Sequence, residues 1–227
     1  MHNKDAAIND ILDSFTKYSN LVLAQLDILE KIVQDNNLQV TDELLDEINK
    51  NEIELDNYEV NISEKIIHTI VLHHPVASEL RKIIACYRII INIERIGDLV
   101  INIVDYIKNL KDPKILKALS GVLFNMVVTS TSMVQKSLMS FLNNDKEYAI
   151  WTIKNDDVID QMNEKLLKKG VSNANLPDEL QEQLLNLITF KSIISGIERI
   201  ADHAAHIAEA SIYSLEGEDI RHKKETL

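Results

Sequence analysis

The chain has 227 residues, of which 45% are hydrophobic and 5% aromatic, with five glycines and three prolines. This composition favours long helices over a β-rich or loop-rich fold. The net charge of −12 argues against nonspecific nucleic-acid binding, because neutralising phosphates requires clustered Lys and Arg, and it disfavours adhesion to an anionic membrane by charge alone.

The sequence indicates a soluble cytoplasmic protein. Cys86 is the single cysteine, so an internal disulfide is impossible and a reducing compartment is expected. Met1–Asn9 is polar and lacks the apolar centre of a signal peptide. The most apolar run, Ile83–Ile107, is interrupted by charges such as Arg88 and Glu94, which disfavours a membrane span.

Hydrophobic periodicity and breaker residues divide the chain into six predicted helices. Thr41 is predicted to cap the second helix, and Pro75 to end it, since the residue before proline is pushed out of the helical region. Pro113 suits a first helical turn, and Gly170 is expected to stop the fifth helix. Asn36-Asn37 is expected to end the first helix and Leu176-Pro177 to open the sixth. The predicted spans are about Asp5–Gln34, Thr41–Leu72, Ala77–Leu110, Asp112–Asn143, Asp145–Lys169 and Leu176–Gly217.

Short connections make sequential helices antiparallel neighbours. The predicted fold class is therefore all-α, with two tandem antiparallel three-helix bundles. We predict the first bundle over residues 1–111 and the second over residues 112–227. Because no low-complexity linker separates the halves, we expect them to pack as one rigid body.

An internal duplication relates the two halves. The segment Ile93–Asp98, with sequence IERIGD, recurs as IERIAD at Ile197–Asp202. A tandem repeat explains such self-similarity at one constant offset. A duplicated apolar stripe would report only a duplicated core, whereas duplicated acids at i and i+4 point to function. The acid pairs that share the offset of 104 residues are Glu52 with Asp156, Asp56 with Asp160, Glu94 with Glu198, and Asp98 with Asp202.

A helical wheel at 100° per residue separates the acids from the core on both motif helices. On the third helix the predicted core stripe is Ile89, Ile93, Ile96, Val100, Ile103 and Ile107; on the sixth it is Ile193, Ile197, Ile200, Ala204 and Ile207. The opposite, outward face carries Glu94, Asp98 and Asn102 on the third helix, and Glu198, Asp202 and His206 on the sixth.

Paired carboxylates one turn apart on two neighbouring helices are typical of metal sites made from helix pairs. Such oxygen-rich sites suit Mg, Mn, Fe or Zn, and the geometry does not choose among these metals. The alternative is a pair of solvated helix faces. In that interpretation Arg95 pairs with Asp98, and Arg199 with Asp202, at i,i+3, each worth only a few tenths of a kcal/mol.

Both acidic motifs resemble the Glu-x-x-x-Asp signature of the PhoU family of phosphate-uptake regulators. Pro75–Leu80 is similar to the family's turn before its third helix, and Ile207–His222 is similar to its C-terminus. The resemblance implies a protein that links a phosphate ABC transporter to a sensor histidine kinase and restrains the phosphate-starvation response. It also implies multinuclear metal clusters of iron or zinc. The implied ligands are Glu52, Asp56, Glu94 and Asp98 in the first half, and Asp156, Asp160, Glu198 and Asp202 in the second.

The sequence departs from the family pattern at several positions. Leu99 stands where the family often has histidine, whereas His203 keeps it in the second half. His206 replaces a common asparagine and is a further candidate ligand, while His203 is expected to make a hydrogen bond instead. Glu52 replaces the more usual aspartate. We therefore expect the two sites to differ in metal affinity.

We predict a regulator that acts by binding and is not an enzyme. The runner-up is a di-metal carboxylate metalloenzyme for phosphoester hydrolysis or oxygen chemistry, and a third hypothesis is a structural scaffold. Di-iron bundle enzymes usually project Glu-x-x-His pairs into the core, unlike the outward pairs expected here. Cys86 is predicted to be a buried thiol, and Trp151 a packing residue. We also expect a homo-oligomer, with a dimer favoured.

Overall fold

A computed structural model of the chain describes residues 2–34, 38–110, 113–172 and 180–221, which form six helices and their connections. The predicted all-α fold is confirmed. Asn36–Asn37, Asp112 and Leu176–Pro177 lie outside the described residues. The helices are α1 (His2–Gln34), α2 (Asp42–His73), α3 (Ser78–Asn109), α4 (Pro113–Asn143), α5 (Lys146–Ser172) and α6 (Leu180–Glu216).

Local capping chemistry sets the limits of α2 and the start of α4. The Thr41 hydroxyl accepts the backbone N–H of Leu44 at 3.3 Å, which confirms the predicted N-cap. His74, just before Pro75, adopts a left-handed backbone with φ of 45° and closes α2 one residue after the predicted end. Pro113 is the first residue of α4, where its missing N–H costs no hydrogen bond.

The two glycines near helix ends behave differently. The prediction that Gly170 stops α5 was wrong, because the helix continues through it to Ser172. A glycine inside a helix costs only about 1 kcal/mol relative to alanine, which does not end a long helix by itself. Gly217 does follow the end of α6, with φ of 75° and its N–H donating to the carbonyl of Tyr213 at 2.9 Å.

In the first half, side-chain contacts show how the three helices run. Lys65 of α2 donates to Ser14 of α1 at 2.8 Å, and Gln25 of α1 donates to Glu52 of α2 at 3.2 Å, so these helices are antiparallel. Gln25 also donates to the carbonyl of Gly97 in α3 at 3.3 Å. All three helices of this bundle therefore meet at one level, near Gln25.

The second half repeats this arrangement. The Thr152 hydroxyl of α5 donates to the carbonyl of Met133 in α4 at 3.4 Å. The hydroxyls of Ser140 in α4 and Ser211 in α6 lie 2.7 Å apart in the buried interior. The two tandem three-helix bundles predicted from the duplication are thus present.

The motif helices α3 and α6 lie against each other at the centre of the molecule. The Nδ1 atom of His203 is 2.9 Å from Oδ1 of Asn92. Farther along the interface, Gly196 of α6 packs so closely on Ile103 of α3 that an added Cβ would stand 2.7 Å from its Cγ1 atom. Between these two contacts the residue number increases along α3 and decreases along α6, so the two helices are antiparallel.

Both halves contribute to one continuous hydrophobic core. Phe15 of α1 and Phe141 of α4 pack edge to face across the halves, with ring centroids 5.0 Å apart. Both predicted core stripes are buried, as expected. Because α3 is covered by the first bundle and by α6, its burial extends beyond one stripe to Ala85, Cys86, Ile90, Gly97, Leu99 and Val104. The predicted limits at residues 111 and 112 lie outside the described residues and stay a prediction.

Two single-residue predictions concern packing. Cys86 is fully buried, as expected, and burial raises the pKa of its thiol to about 12. Trp151 packs against the shared hydrophobic core, with the Lys136 ammonium 3.2 Å from the ring centroid. Within the described ranges, none of the helices combines the length and apolar character that crossing a bilayer requires.

Candidate functional site

The antiparallel pairing of α2 and α3 brings two rows of carboxylates together. On α2 the row is Glu52, Asp56 and Glu59, at i, i+4 and i+7; on α3 it is Glu94 and Asp98, at i and i+4. Glu52 shares a hydrogen bond with Asp98, and Asp56 and Glu59 act electrostatically on Glu94. We call these five residues the first carboxylate cluster. It contains all four ligands implied for this half.

Two acids of the first carboxylate cluster have raised pKa values. Burial is the main cause that raises the pKa of Glu52 to about 7; the charges of Asp98 and Asp56 act in the same direction, and the hydrogen bond donated by Gln25 opposes the shift. Burial and neighbouring acids also raise the pKa of Glu94, which Arg95 opposes. Crowded carboxylates of this kind are stabilised by protons or by a bound cation.

Two residues that are not among the predicted ligands shape the first cluster. Gln25 of α1 uses its amide nitrogen to bridge Glu52 and the carbonyl of Gly97, while its own carbonyl oxygen is buried without a hydrogen bond. Gly97 leaves room for that approach, since an added Cβ would stand 3.0 Å from Oε2 of Glu52 and 2.8 Å from Cδ1 of Leu55. No spacing in the sequence singles out Gln25, because its partners lie on other helices.

The second carboxylate cluster comprises Asp156 and Asp160 of α5 with Glu198 and Asp202 of α6. Burial raises the pKa of Glu198, and Asp160, Asp202 and Asp156 raise it further. The amide of Asn163 donates to Glu198 and opposes this shift. The Asn163 carbonyl oxygen is buried without a hydrogen bond, as that of Gln25 is in the first half. Each predicted set of four acids is therefore brought together.

Asn163 and Glu59 are site residues that the motif analysis missed. They occupy the same place in the two halves, 104 residues apart, and each follows the second acid of its row by three residues. The repeat offset that identified the other acids would have found this pair too. It was overlooked because one member is an amide. The first cluster consequently has five carboxylates and the second has four.

The prediction that these acids form a wet outer face was partly wrong. Asn102 and His206 are exposed, and the Asp98 side chain is 46% exposed. The Glu94 side chain, however, is only 21% exposed, and Asp156 on the neighbouring α5 is only 5% exposed. The helical wheel considers one helix at a time, whereas the neighbouring α2 and α5 cover the acidic side of α3 and α6.

The candidate ligand His206 lies in a different place from the carboxylates of its half. It lines a cleft of about 400 Å³ together with Arg88, Glu209, Asp219 and Arg221. Its ring packs edge-on against that of His203, with centroids 6.0 Å apart. His206 therefore joins a mixed-charge cleft beside the C-terminal segment, while the four acids of the second cluster lie between α5 and α6.

His203 makes the hydrogen bond that the sequence predicted, to Asn92 of the other half. Burial, together with the nearby His206, Arg199 and Arg95, lowers its pKa to about 4. A neutral imidazole at this place serves the packing of α3 on α6. Leu99, its counterpart in the first half, is buried. Leucine has no atom that could bind a metal, so the first half lacks the imidazole that His203 supplies in the second.

The oxygen donors in both clusters fit the chemistry of a hard or borderline cation. Their side chains are adjacent without converging on one point. Among the described residues, no three His, Cys, Asp or Glu side chains are placed to hold a metal ion together. Binding would require carboxylates such as Glu52 and Asp98 to rotate apart from their shared hydrogen bond.

Comparison with known proteins decides the family. The family model described as the PhoU domain matches residues 15–107 and again residues 123–211, one match in each bundle. The chain belongs to the PhoU family. The two matches place both carboxylate clusters inside PhoU domains.

Relatives and a solved structure of the PhoU family agree with this assignment. A "Phosphate-specific transport system accessory protein PhoU homolog 1" from Thermotoga maritima is 28% identical over 184 residues, covering 80% of this chain and 72% of the relative. A "Phosphate-specific transport system accessory protein PhoU homolog" from Aquifex aeolicus is 30% identical over 216 residues, covering 95% of this chain and 94% of the relative. The crystal structure of PhoU from Pseudomonas aeruginosa matches with a TM-score of 0.83 at 22% identity, covering 94% of this chain and 99% of that one. At that identity the likeness concerns the fold.

Proposed function

We propose that this chain regulates phosphate uptake by coupling a phosphate ABC transporter to a sensor histidine kinase. The observation that carries the proposal is the PhoU-domain match in both bundles. Relatives that align along most of this chain are described as accessory proteins of phosphate-specific transport. The protein would act in the cytoplasm, as a homodimer, and meet the membrane through these partners.

A role in binding rather than catalysis is supported by the form of the clusters. Both lie between long helices, and the acids of the first cluster interact with one another, with the Gln25 amide and with Arg95. A rigid helical body with two related clusters is suited to presenting surfaces to two proteins. The net charge of −12 favours partners with basic surfaces.

We further propose that the clusters bind a multinuclear transition-metal centre of iron or zinc, with magnesium or manganese as alternatives. The ligands would be Glu52, Asp56, Glu94 and Asp98 in the first half, and Asp156, Asp160, Glu198 and Asp202 in the second. His206 would contribute only if its ring left the cleft that it lines. A bound cation would neutralise the crowded carboxylates. The raised pKa of Glu52 supports this proposal, because it shows that burial and neighbouring acids disfavour an uncompensated negative charge there.

Deleting the gene should make expression of phosphate-starvation genes constitutive, and the wild-type chain should restore regulation. Tagged protein should recover a transporter or kinase subunit at low salt and lose it at high salt, because charges are screened over about 10 Å at 0.1 M ionic strength. Unchanged phosphate-responsive expression in the deletion strain, with neither partner recovered, would refute the proposal.

The metalloenzyme is the second candidate function. The pKa of Glu52, near 7, is suited to a general base. Hydrolysis of phosphate esters by the metal-loaded protein, abolished by Glu52→Gln, would favour this function. Hydrolysis that persists in Glu52→Gln would point to a contaminating phosphatase instead.

A further inference from the structure

One face of α2 carries a stripe of large apolar side chains that the rest of the described chain leaves uncovered. The stripe consists of Ile53, Val60, Ile67 and Val71, which are 64%, 57%, 56% and 60% exposed. Their spacing of seven, seven and four residues places them on one side of the helix. The stripe covers 18 steps of the helix, or roughly 27 Å at 1.5 Å per residue. We call it the α2 stripe.

The internal duplication shows that the fold does not require apolar residues at two of these four places. At the offset of 104 residues, Ile53 corresponds to Asp157 and Val60 to Glu164 in α5, while Ile67 corresponds to Val171. The corresponding helix of the second bundle therefore carries acids where Ile53 and Val60 stand in α2. A row of exposed apolar side chains on one side of a helix, which packing within the chain does not explain, favours an interaction site.

The border of the α2 stripe is acidic. Counting 100° per residue from Ile53, Asp46 and Glu64 lie about 20° away and Asp56 about 60° away. All three are exposed, and Asp56 belongs to the first carboxylate cluster, so the stripe and the cluster are continuous. Lys50, about 60° away on the other side, only partly offsets this negative border.

We propose that the α2 stripe docks an amphipathic helix of a partner protein whose apolar face is bordered by Lys and Arg. Apolar side chains at i and i+7 receive a helix by the helix-in-groove mode of recognition, and the acidic border selects a basic partner. A second copy of this chain would set two acidic borders against each other, and anionic headgroups would be repelled in the same way. The proposal deepens the regulatory function, and rests on it, by specifying where a protein partner binds.

The first experiment measures binding of two synthetic helical peptides to the full chain by fluorescence anisotropy. Both peptides carry leucines at heptad spacing, one with lysine borders and one with glutamate borders. We expect the lysine peptide to bind at least about tenfold more tightly, with a salt-dependent affinity. The double variant Ile53→Asp/Val60→Glu, which copies the second half, should weaken binding of the lysine peptide at least about tenfold.

This double variant separates docking from general charge attraction. It makes the protein more acidic, so attraction by net charge alone would strengthen binding of the lysine peptide, and equal or tighter binding would overturn the proposal. Val158→Glu, at a half-exposed apolar position of α5, is the matched control and should leave the affinity unchanged. A comparable loss with Val158→Glu would also overturn it.

Two further measurements cover other outcomes. If circular dichroism shows that the double variant is unfolded, Glu64→Lys replaces it. This variant should bind the lysine peptide more weakly and the glutamate peptide more tightly than the wild type does. Unchanged affinities for both peptides would overturn the proposal. A wild-type dimer that becomes monomeric in the folded double variant would assign the stripe to a second copy instead. Phosphate-responsive expression in the deletion strain is scored separately, so failure of the regulatory function is distinguished from failure of the docking surface.

Discussion

Glu52 approaches α3 where Gly97 has no side chain, so closely that a Cβ on Gly97 would stand 3.0 Å from the Oε2 atom of Glu52. The second half has different residues at the two corresponding positions. At the corresponding positions, Ala201 takes the place of the glycine and the shorter Asp156 the place of the glutamate. The longer acid is thus paired with the smaller residue in one bundle, and the shorter acid with the larger residue in the other.

This size complementarity predicts coupled mutations. Gly97→Ala should lower the free energy of unfolding by about 1 kcal/mol, because crowding of Leu55 and Glu52 outweighs the gain in helix propensity. Glu52→Asp should cost less in that variant than in the wild type, with a coupling on the order of 0.5–1 kcal/mol. Urea unfolding of the four proteins, in the presence of chelator, measures the coupling.

The second bundle provides the matched control for that cycle. Asp156→Glu should destabilise the protein beside the methyl group of Ala201, and Ala201→Gly should relieve part of the loss. Strictly additive free energies in both bundles would show that the two exchanges are unrelated.

The metal proposal predicts separate loss of metal from each half. Glu52→Gln/Asp98→Asn should remove the metal of the first cluster, and Asp156→Asn/Asp202→Asn that of the second. Amides are used because Asp156 is buried, where a truncated side chain would leave a cavity. The exposed acids Glu54 and Asp157, changed to amides, are the controls on the same helices. Elemental analysis that finds equal metal in all these proteins would reject the ligand assignment.

Removing metal should destabilise the fold. A ligand that binds only the folded state adds RT ln(1 + [L]/Kd) to stability, which is about 2.7 kcal/mol at a hundredfold excess over Kd. For a protein of this size we expect chelation to lower Tm by roughly 5–10 °C. Thermal melts followed by circular dichroism test this prediction. An identical Tm with and without chelator, for protein shown to contain metal, would contradict it.

His203 predicts an acid-sensitive step in stability. Burial lowers its pKa in the folded chain to about 4 from the ordinary 6.5, so the unfolded chain binds more protons between those values. Its contribution to stability is therefore complete above about pH 6.5 and is lost as the pH falls towards 4. His203→Gln keeps a side chain that can bond to Asn92 but does not titrate.

The metal-free wild type should consequently lose more stability on acidification than His203→Gln. Urea unfolding at about pH 7 and about pH 5 measures the difference. Parallel losses in the two proteins would show that the imidazole is not the group that titrates.

Much of the local structure is determined by the sequence itself. Thr41 supplies a cap, Pro75 a break and Pro113 a helix start, because each acts through bonds or clashes within a few residues. The two core stripes follow from the period of the helix. The constant offset of 104 residues identified four acids in each cluster, since duplication preserves corresponding positions.

The tertiary structure decides which polar groups are buried and which apolar groups are exposed. Gln25 joins the first cluster through partners 27 and 72 residues away in sequence, and His203 meets Asn92 across 111 residues. The wheel of a single helix could not show that Asp156 is buried or that Ile53 is exposed. Periodicity describes the sides of one helix, whereas burial depends on which neighbouring helix covers each side, and that follows from packing over the whole chain.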